Sequence, residues 1–172
     1  MNKKILDVTC GMRGIWFKKN HPNAIYCDRR KEEHHIPTKN GGTKNIIIDP
    51  DVVCDFTNLP FADNEFSLVV FDPPHLTNTG EDSLMNKLYT KLDGDWYKML
   101  HDGFRECMRV LKPDGVLIFK WSDISISTRE VINAFGKEPL FGHRSGKKMN
   151  THWMCFMKED DFCSRGERRE GE

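Results

Sequence analysis

Four short apolar segments of this sequence each carry an aspartate at or next to their carboxyl end, and this repeated pattern limits the folds open to the chain. The segments are Lys4–Val8, Asn23–Asp28, Asn45–Asp55 and Phe66–Asp72. Segments this short, bounded by polar turns, are typical of β-strands, and the fourth is apolar enough to be a central strand buried on both faces. Strands that alternate with helical patterns predict an α/β fold with a mostly parallel sheet.

The connections between these strands carry their own local patterns. After the first strand we expect a turn at Cys10–Gly11 and a short amphipathic helix through Trp16 and Phe17. The polar stretch Arg29–Asn45, between the second and third strands, predicts an exposed loop. The third strand is interrupted and ends at Asp55.

The second half of the chain continues the alternation of helix and strand. Apolar residues at steps of three or four predict a helix over Asp95–Lys112, which stops at a turn over Lys112–Gly115. The remaining predicted elements are a strand over Val116–Trp121, a helix over Thr128–Phe135, and two strands over Pro139–Phe141 and His152–Met157. This order is that of a single α/β unit with no internal repeat.

Length and charge set further bounds. With 172 residues, of which 38 % are hydrophobic, the chain can build one domain with a real core. We place that domain at residues 1–158 and expect the charged tail, residues 159–172, to be disordered. The 26 Lys and Arg balance 26 Asp and Glu, so no overall charge attracts the protein to nucleic acid or to anionic membranes. No apolar stretch approaches the roughly 18 to 20 residues that would span a bilayer, and we expect a cytoplasmic protein.

The cysteines give no indication of a metal site. The six cysteines are scattered, and no pair has the spacing of a structural zinc site. The adjacent His34 and His35 do not change this expectation, because no thiol is near them in the sequence. We therefore expect no metal, and we interpret most of the cysteines as small buried residues in a reducing compartment.

Acids at several strand ends predict one shared ligand site, because ligands of open α/β sheets bind beyond the carboxyl ends of the strands where the strand order reverses. Asp28 follows the first strand by about 20 residues, the position of a carboxylate that accepts hydrogen bonds from the hydroxyls of a ribose. The first loop, Asp7–Gly14, has two glycines and no GxGxxG pattern. The sequence therefore indicates a nucleoside-containing cofactor and disfavours a dinucleotide-dependent dehydrogenase.

Four motifs, taken together in chain order, resemble those of class I S-adenosylmethionine-dependent methyltransferases. They are DVTCG at Asp7–Gly11, the acid Asp28, Asp55–Phe56 and, most specifically, DPPH at Asp72–His75. Residues 104–118 are similar to the helix, turn and strand that follow the fourth motif in that family. Together with residues 141–147 and 152–153, the series resembles small stand-alone methyltransferases of phages and mobile elements. The resemblance implies one Rossmann-like domain, a doubly wound, mostly parallel sheet of the seven-stranded type with helices on both faces.

The resemblance also implies S-adenosylmethionine as the cofactor. It implies that Gly11 lets the backbone approach the methionine part, that Asp28 holds the ribose, and that Asp55–Phe56 lies at the adenine. Asp7 would orient the loop or reach the cofactor amine through water. The implied cofactor-binding set is Asp7, Thr9, Cys10, Gly11, Asp28, Asp55, Phe56 and Asp72. Trp16 packs either over the cofactor or in the core, and we favour the core.

The catalytic segment implied by the resemblance is Asp72, Pro73, Pro74 and His75. An amide-like or aromatic amine needs acceptors for its two N–H bonds, and the Asp72 carboxylate and the Pro73 carbonyl can supply both. The two prolines have a fixed φ and no N–H, so they hold these acceptors in a rigid turn. In methyltransferases of this DPPY type an aromatic residue follows the prolines. Here His75 stands there, which can stack or accept a proton near neutral pH; a rigid turn with no catalytic role is the alternative.

The expected acceptor is a nitrogen, such as an exocyclic amine of a nucleobase in DNA or RNA. The chain has no Pro-Cys pair, which methylation of carbon 5 of cytosine would need. We expect the loop Leu76–Gly94 to cover the acceptor as a lid. The basic segment Lys137–Lys158 is expected to contact phosphates and bases through Arg144, Lys147, Lys148 and Trp153.

Two other functions remain open from the sequence. One is methylation of a small molecule or of a protein amide at the same cofactor site. The other is a non-catalytic, cofactor-binding subunit that acts with a partner. A chain of this size has no room for an added recognition domain, so a dimer or a partner subunit is also compatible with the sequence.

Overall fold

The computed structural model describes residues 3–38, 40–76, 92, 94–143 and 150–159. The described strands are β1 (Ile5–Asp7), β2 (Ala24–Asp28), β3 (Glu32–Pro37), β4 (Thr43–Ile48), β5 (Val52–Val53), β6 (Phe66–Phe71), β7 (Leu111–Ser122), β8 (Phe141–His143) and β9 (Thr151–Met157). The described helices are α1 (Trp96–Val110) and α2 (Thr128–Phe135).

Seven of these strands form one sheet in the order β5-β2-β1-β6-β7-β9-β8. Neighbouring strands from β5 to β7 are parallel, whereas β9 runs antiparallel to both β7 and β8. The chain moves outward from β1 to β5 on one side and then continues from β6 on the other, so the strand order reverses between β1 and β6. The predicted α/β sheet is confirmed, and its reversal creates a crevice at the carboxyl ends of β1 and β6.

One face of the sheet carries the main hydrophobic core. Leu6, Val69 and Leu117 lie side by side across β1, β6 and β7, and all three are fully buried. Both described helices cover this face, and the Phe104 ring of α1 stacks on Phe135 of α2 with 4.2 Å between centroids. Each such buried side chain stabilises the fold by roughly 1.5–3 kcal/mol. This core fixes the strands whose carboxyl ends form the crevice.

The segment after β1 is a series of turns, so the helix predicted through Trp16 and Phe17 is wrong. Two residues of this loop, Gly11 and Arg13, have positive φ angles of 48° and 55°. Such angles break the repeating geometry of a right-handed helix. The N–H of Arg13 instead donates to the Cys10 carbonyl at 2.6 Å, and the N–H of Trp16 donates to the Arg13 carbonyl at 3.2 Å.

The same loop builds a small second core on the opposite face of the sheet. Cys10, Ala24 and Tyr26 are buried there, and Trp16 packs against them half-buried. The rings of Trp16 and Tyr26 meet edge to face with 5.0 Å between centroids. The core position favoured for Trp16 from the sequence therefore agrees with the structure, and Cys10 is the small packing residue that the sequence suggests.

The connection from β2 to β5 is a β-hairpin, not the exposed loop predicted over Arg29–Asn45. Strands β3 and β4 pair antiparallel around a turn in which Gly41 has a φ of 77°. The side chains of Ile46 and Ile48 are buried while the residue between them is exposed, the alternation of a half-buried strand. The predicted strand over Asn45–Asp55 is consequently divided between β4 and β5.

Both long helices predicted from the sequence are confirmed, with clear starting residues. The side chain of Asp95 accepts the Lys98 N–H at 3.0 Å at the start of α1, and Ser127 forms a capping box with Glu130 at the start of α2. The turn predicted over Lys112–Gly115 is a bulge inside β7, where the pairing with β6 changes register. Neither of the described helices is long and apolar enough to cross a membrane.

At the amino ends of the strands, which we call the amino edge of the sheet, Arg109 connects α1 to the segment that precedes β6. Its guanidinium donates to both carboxylate oxygens of Glu106, at 2.7 and 2.8 Å, and to Asp63 at 2.7 Å. It also donates to the carbonyl oxygens of Leu59 and Phe61, at 3.0 and 2.8 Å. Five hydrogen bonds thus satisfy the donors of one arginine.

Lys158, just after β9, is buried at the same edge. Its Nζ donates to the side-chain oxygen of Asn64 at 2.8 Å and to the carbonyls of Arg109 and Leu111 at 3.1 and 2.8 Å. A cation placed there satisfies carbonyls at the end of α1 and complements the helix dipole. Lys158 therefore does not form part of an exposed basic surface.

Candidate active site

A cleft of about 270 Å³ opens at the carboxyl ends of β1, β2 and β6, where the strand order reverses. Most of its lining comes from the loop after β1, the end of β2 and the turn after β6. The lining residues are Val8, Thr9, Cys10, Gly11, Met12, Gly14, Ile15, Asp28, Arg29, Arg30, Phe56, Asp72, Pro73, Pro74 and Lys120. Six of the eight predicted cofactor-binding residues are among them, namely Thr9, Cys10, Gly11, Asp28, Phe56 and Asp72.

Asp7 lies behind the cleft wall and holds the loop that forms it. One carboxylate oxygen accepts the Thr9 N–H at 3.2 Å, and the other accepts the indole N–H of Trp16 at 2.6 Å. The side chain is 1 % exposed, and burial raises the pKa of Asp7 from 3.8 to about 7 against the lowering effect of these hydrogen bonds. Of the two roles expected for Asp7, orienting the loop is the one that these contacts support.

Asp28 ends β2 and faces the cleft. Its Oδ2 accepts the N–H of Gly11 at 3.0 Å, while Oδ1 accepts the backbone N–H and the Nε of Arg30 at 3.0 and 3.3 Å. Gly11 has a φ of 48°, and a Cβ added there would meet no atom within 4 Å. Backbone conformation, and not lack of space, therefore favours glycine at this position. The Asp28 carboxylate fixes the loop and still presents lone pairs toward the cleft.

The two residues of the third motif separate in the structure. Phe56 is 7 % exposed, lines the cleft and packs on Phe71 with 5.2 Å between ring centroids. Asp55 is exposed, and its carboxylate accepts the N–H and the hydroxyl of Thr57, each at 2.8 Å. Asp55 thus forms a local turn with Thr57 and does not line the cleft, unlike its predicted position.

The Phe56 ring is supported from below by α1. A Cβ added at Gly103 would lie 2.5 Å from Cδ2 of Phe56 and 3.1 Å from Cζ of Phe71. Only glycine at position 103 lets the helix come this close to the ring. The packing of α1 therefore determines where the aromatic wall of the cleft lies.

Asp72 follows β6 directly and is joined to two neighbouring strands. Its backbone N–H donates to the Thr9 hydroxyl at 2.9 Å, which links the turns after β1 and β6. Its Oδ2 accepts a hydrogen bond from Lys120 Nζ at 2.6 Å. Burial raises the pKa of Asp72, and the Lys120 ammonium acts in the opposite direction. The predicted catalytic carboxylate is thus present in the cleft, but as half of an ion pair.

Lys120 lines the cleft, although the sequence motifs gave no indication of it. It lies in β7 beside the end of β6, and its Nζ is 5.9 Å from the centroid of the Trp153 ring on β9. One pattern could have revealed it: Val116, Ile118 and Lys120 share one face of the strand, and a lysine is out of place in that apolar series.

His75 is held by the turn in which it lies. Its ring hydrogen-bonds to the backbone of Pro73, which offers only a carbonyl, and lies edge to face with Trp121 at 6.3 Å between centroids. Burial lowers the pKa of His75, so its neutral form is the stable one at pH 7. Pro73 is buried and Pro74 is half-buried. A carbonyl has two lone pairs, so that of Pro73 can still accept a second donor.

Several predicted features lie outside the described residues. These are Arg144, Lys147 and Lys148, residues 77–91 and 93 of the predicted lid, and residues 160–172 of the predicted tail. Of the remaining cations in the basic segment, Lys137 pairs with Glu159 at 2.7 Å and Lys158 is buried. Trp153 is half-buried beside Lys120, close to the cleft and not on a distant surface.

No protein-family model matches the sequence, and no curated protein sequence matches it. Solved structures do match. The N-methyltransferase NodS of Bradyrhizobium japonicum aligns over 92 % of this chain and 86 % of its own, with 14 % identity and a TM-score of 0.55. A TehB-like S-adenosylmethionine-dependent methyltransferase of Corynebacterium glutamicum aligns over 92 % and 81 %, with 14 % identity and a TM-score of 0.55.

A third solved structure, an S-adenosylmethionine-dependent methyltransferase of Methanosarcina mazei, aligns over 92 % of this chain and 94 % of its own. The identity is 13 % and the TM-score is 0.52. At such identities the likeness concerns the fold and not the substrate. Together with the strand order and the position of the cleft, it shows that this chain has the fold of S-adenosylmethionine-dependent methyltransferases.

Proposed function

We propose that the protein is an S-adenosylmethionine-dependent methyltransferase that acts in the cytoplasm and transfers a methyl group to a nitrogen acceptor. The observation that carries the proposal is one cleft, at the point where strand order reverses, that holds both Asp28 and Asp72. Asp28 is an acid suited to a ribose, and Asp72 opens a rigid Asp-Pro-Pro turn. The resemblance of the motif series to small stand-alone methyltransferases of phages and mobile elements supports the same function.

The residues of the cleft fit the cofactor. Asp28 would accept hydrogen bonds from the ribose hydroxyls, the backbone around Gly11 would adjoin the methionine part, and Phe56 would pack against the adenine. When bound, S-adenosylmethionine supplies a methyl group on a positively charged sulfur. Asp7 supports the site from behind, because it holds the loop through Thr9 and Trp16.

The reaction asks the protein mainly to align the acceptor and exclude water. Among the described residues, Oδ1 of Asp72 accepts no hydrogen bond, so it can accept one N–H of the acceptor. The Pro73 carbonyl can accept a second. These bonds would orient the nitrogen lone pair, and the Asp72 carboxylate would take the surplus N–H proton when the N–C bond forms and the methyl–sulfur bond breaks, leaving a neutral thioether.

We further propose a neutral, planar acceptor, such as an exocyclic amine of a nucleobase. Lys120 places a positive charge beside Asp72, which repels a cationic alkylamine but not a neutral amine. The Trp153 ring beside Lys120 and the neutral His75 ring offer flat surfaces on which a base can stack. A neutral protein amide or small molecule would satisfy the same chemistry, and the experiment below distinguishes among them.

The test is incubation of the purified protein with methyl-labelled S-adenosylmethionine and separated DNA, RNA, protein and metabolite fractions. Asp72→Asn is the test variant, and we expect it to lower transfer by about 100-fold or more. Asp102→Asn, the same substitution at a residue ion-paired with Lys98 on the outside of α1, is the matched control and keeps full activity. Cofactor binding, measured by calorimetry, should be present in all three proteins.

Label in a nucleic-acid fraction supports the nucleobase acceptor, and label in the protein or metabolite fraction replaces it with an amide or a small molecule. Cofactor binding without label in any fraction contradicts the proposed transferase and favours a cofactor-binding subunit of a larger complex. Equal transfer by wild type and Asp72→Asn contradicts the role given to Asp72.

A further inference from the structure

The ion pair between Asp72 and Lys120 links two neighbouring strands in the lining of the cleft. The distance from Lys120 Nζ to Asp72 Oδ2 is 2.6 Å, and each side chain is only 20 % exposed. The two residues are 48 positions apart in the chain and meet because β6 and β7 are neighbours in the sheet. Both ends of the pair are therefore fixed by backbone that belongs to the core.

The surroundings of Asp72 oppose its negative charge. The charged and titratable groups that face it are Lys120 from β7, His75 from its own turn and Asp7 from β1. Asp7 is an acid and repels a second negative charge, while the neutral form of His75 contributes none. Lys120 is thus the one cation among these groups that compensates for the burial of the carboxylate.

Because of Lys120, the two carboxylate oxygens of Asp72 differ in their hydrogen bonding. Lys120 occupies Oδ2, and Oδ1 has no donor among the described residues. On its other side, the ammonium lies 5.9 Å from the Trp153 ring centroid, a distance at which the ring still attracts a cation. The lysine is held between an anion and a ring, which limits the directions in which Asp72 can turn.

We propose that Lys120 is a positioning residue that keeps the Asp72 carboxylate ionised and directs its free oxygen toward the acceptor. The catalytic meaning of this inference rests on the proposed function, since it concerns the carboxylate that would bind the acceptor N–H. The electrostatic part does not, because the ionisation of Asp72 can be measured without any acceptor.

The experiment is an NMR titration of the purified full chain with carbon-13 in the aspartate carboxyl groups. The resonance of Asp72 is assigned by its disappearance in Asp72→Asn. Lys120→Met removes the charge at similar length, and we expect the titration midpoint of Asp72 to move to higher pH than in wild type. Lys120→Arg keeps a cation and is the matched control, with a midpoint near that of wild type. Equal midpoints in Lys120→Met and wild type would overturn the proposal.

A reciprocal measurement keeps the proposal testable should Lys120→Met fail to fold. The charge-assisted hydrogen bond to Asp72 Oδ2 holds the Lys120 ammonium, so its protons should exchange with solvent faster in Asp72→Asn than in wild type. This is read from the nitrogen-15 resonance of Lys120 Nζ in the two proteins. Equal exchange rates contradict the ion pair.

A pH profile then connects the pair to transfer, in the fraction that wild type labels. Each unit by which the Asp72 midpoint rises above the working pH removes about tenfold of its ionised form. Lys120→Met should therefore lose rate at every pH below its own Asp72 midpoint, by about tenfold per unit, and recover as the pH is raised, while Lys120→Arg keeps the shape of the wild-type pH profile. A Lys120→Met rate with the pH profile of wild type contradicts the positioning role.

The two proposals can fail separately. If no fraction is labelled but the Asp72 midpoint rises in Lys120→Met, the electrostatic role of Lys120 stands and the transferase function is contradicted. If wild type labels a fraction but the Asp72 midpoint is the same in Lys120→Met, the transferase function stands and the role of Lys120 is overturned.

Discussion

Buried charged groups lie both at the amino edge of the sheet, where the strands begin, and at its carboxyl edge, where they end at the cleft. The two sets of charges are compensated differently. At the amino edge, Arg109 lowers the pKa of Glu106 through direct hydrogen bonds, and Lys158 has three oxygen acceptors. At the carboxyl edge, the acids Asp7 and Asp72 have raised pKa values, with burial as the largest cause in each case. At the first edge the charged groups have partners; at the second, Lys120 pairs with Asp72, but Asp7 has no cationic partner among the described residues and the two crowded acids repel each other.

This difference separates structural from functional charge. A buried ion with all its partners holds elements together, since removal of one partner leaves the other uncompensated. Crowded acids make folding less favourable and are a common mark of sites that bind or react. The carboxyl edge would then gain from a ligand with hydroxyl, amine or cationic groups, which is the chemistry that the cleft is proposed to bind.

The largest expected effect belongs to the amino edge. Lys158→Met removes the cation that donates to the Asn64 side chain and to the Leu111 carbonyl, while the Arg109 carbonyl keeps the Asn64 N–H at 3.1 Å. We expect a loss of about 4 kcal/mol in the free energy of unfolding, measured by urea denaturation. Cofactor affinity of the folded protein should be unchanged. A weakened affinity with unchanged stability would mean that the two edges do not differ in the way described.

The second prediction concerns pH and Asp7. Its pKa is about 7 in the folded protein and 3.8 without the fold, so the folded state retains the proton at pH values where the unfolded state has lost it. Stability should therefore fall as pH rises from about 4 to about 7 and then level off. From pH 5 to pH 8 this amounts to about 3 kcal/mol at 1.36 kcal/mol per unit.

Asp7→Asn isolates this contribution, because asparagine does not titrate. The difference in unfolding free energy between wild type and Asp7→Asn should shift by that amount in favour of the variant as the pH rises. A difference that stays constant between pH 5 and pH 8 would place the pKa of Asp7 near its ordinary value and remove the crowding argument.

The third prediction tests the link between the core and the cleft wall. Alanine is normally preferred to glycine inside a helix, yet Gly103→Ala would bring a methyl group within 2.5 Å of Cδ2 of Phe56. We expect a loss of about 2 kcal/mol in stability, typical of overpacking, together with weaker cofactor binding. Phe56→Leu in the Gly103→Ala background should restore part of the stability but not the affinity. Stabilisation by Gly103→Ala alone would contradict the contact.

The smallest effect is expected for Thr9→Val, which removes the hydroxyl that accepts the Asp72 N–H. We expect a loss of about 1 kcal/mol in unfolding free energy, the usual contribution of one hydrogen bond. Thr9→Ser keeps the acceptor and serves as the control. If valine and serine have the same effect, the hydroxyl does not join the turns after β1 and β6 as the structure indicates.

The sheet could be predicted from the sequence because its strands are short apolar runs with clear turn residues. Phe66–Asp72 is the clearest case, since an almost continuous apolar run predicts a strand that is buried on both faces. The β3–β4 hairpin could not, because polar residues such as His34 and His35 occupy positions whose pairing partners lie about ten residues away. Burial of Ile46 becomes visible only once that pairing is known.

Site residues could be predicted where their position follows from a strand end in the local sequence. They could not be predicted where their position depends on the pairing of two strands. Asp28 and Asp72 follow strand ends, so their place at the crevice follows from topology alone. The apolar series of β7 marks Lys120 as unusual, but its pairing with Asp72 depends on the register of β6 and β7, which no local pattern contains. Asp55 shows the reverse case, because its local bond to Thr57 takes precedence over the role that its motif position suggests.

The hairpin that joins β2 to β5 also bears on how the chain folds. Its two strands pair around a short turn, so their contacts are local in sequence and can form on the microsecond scale of isolated hairpins. Parallel pairing of β2 with β5 closes a longer loop and is slower for that reason. We therefore expect the hairpin to form first and to bring β5 close to β2. The hairpin would then assist the folding of β5, the strand that leads to Phe56 at the cleft.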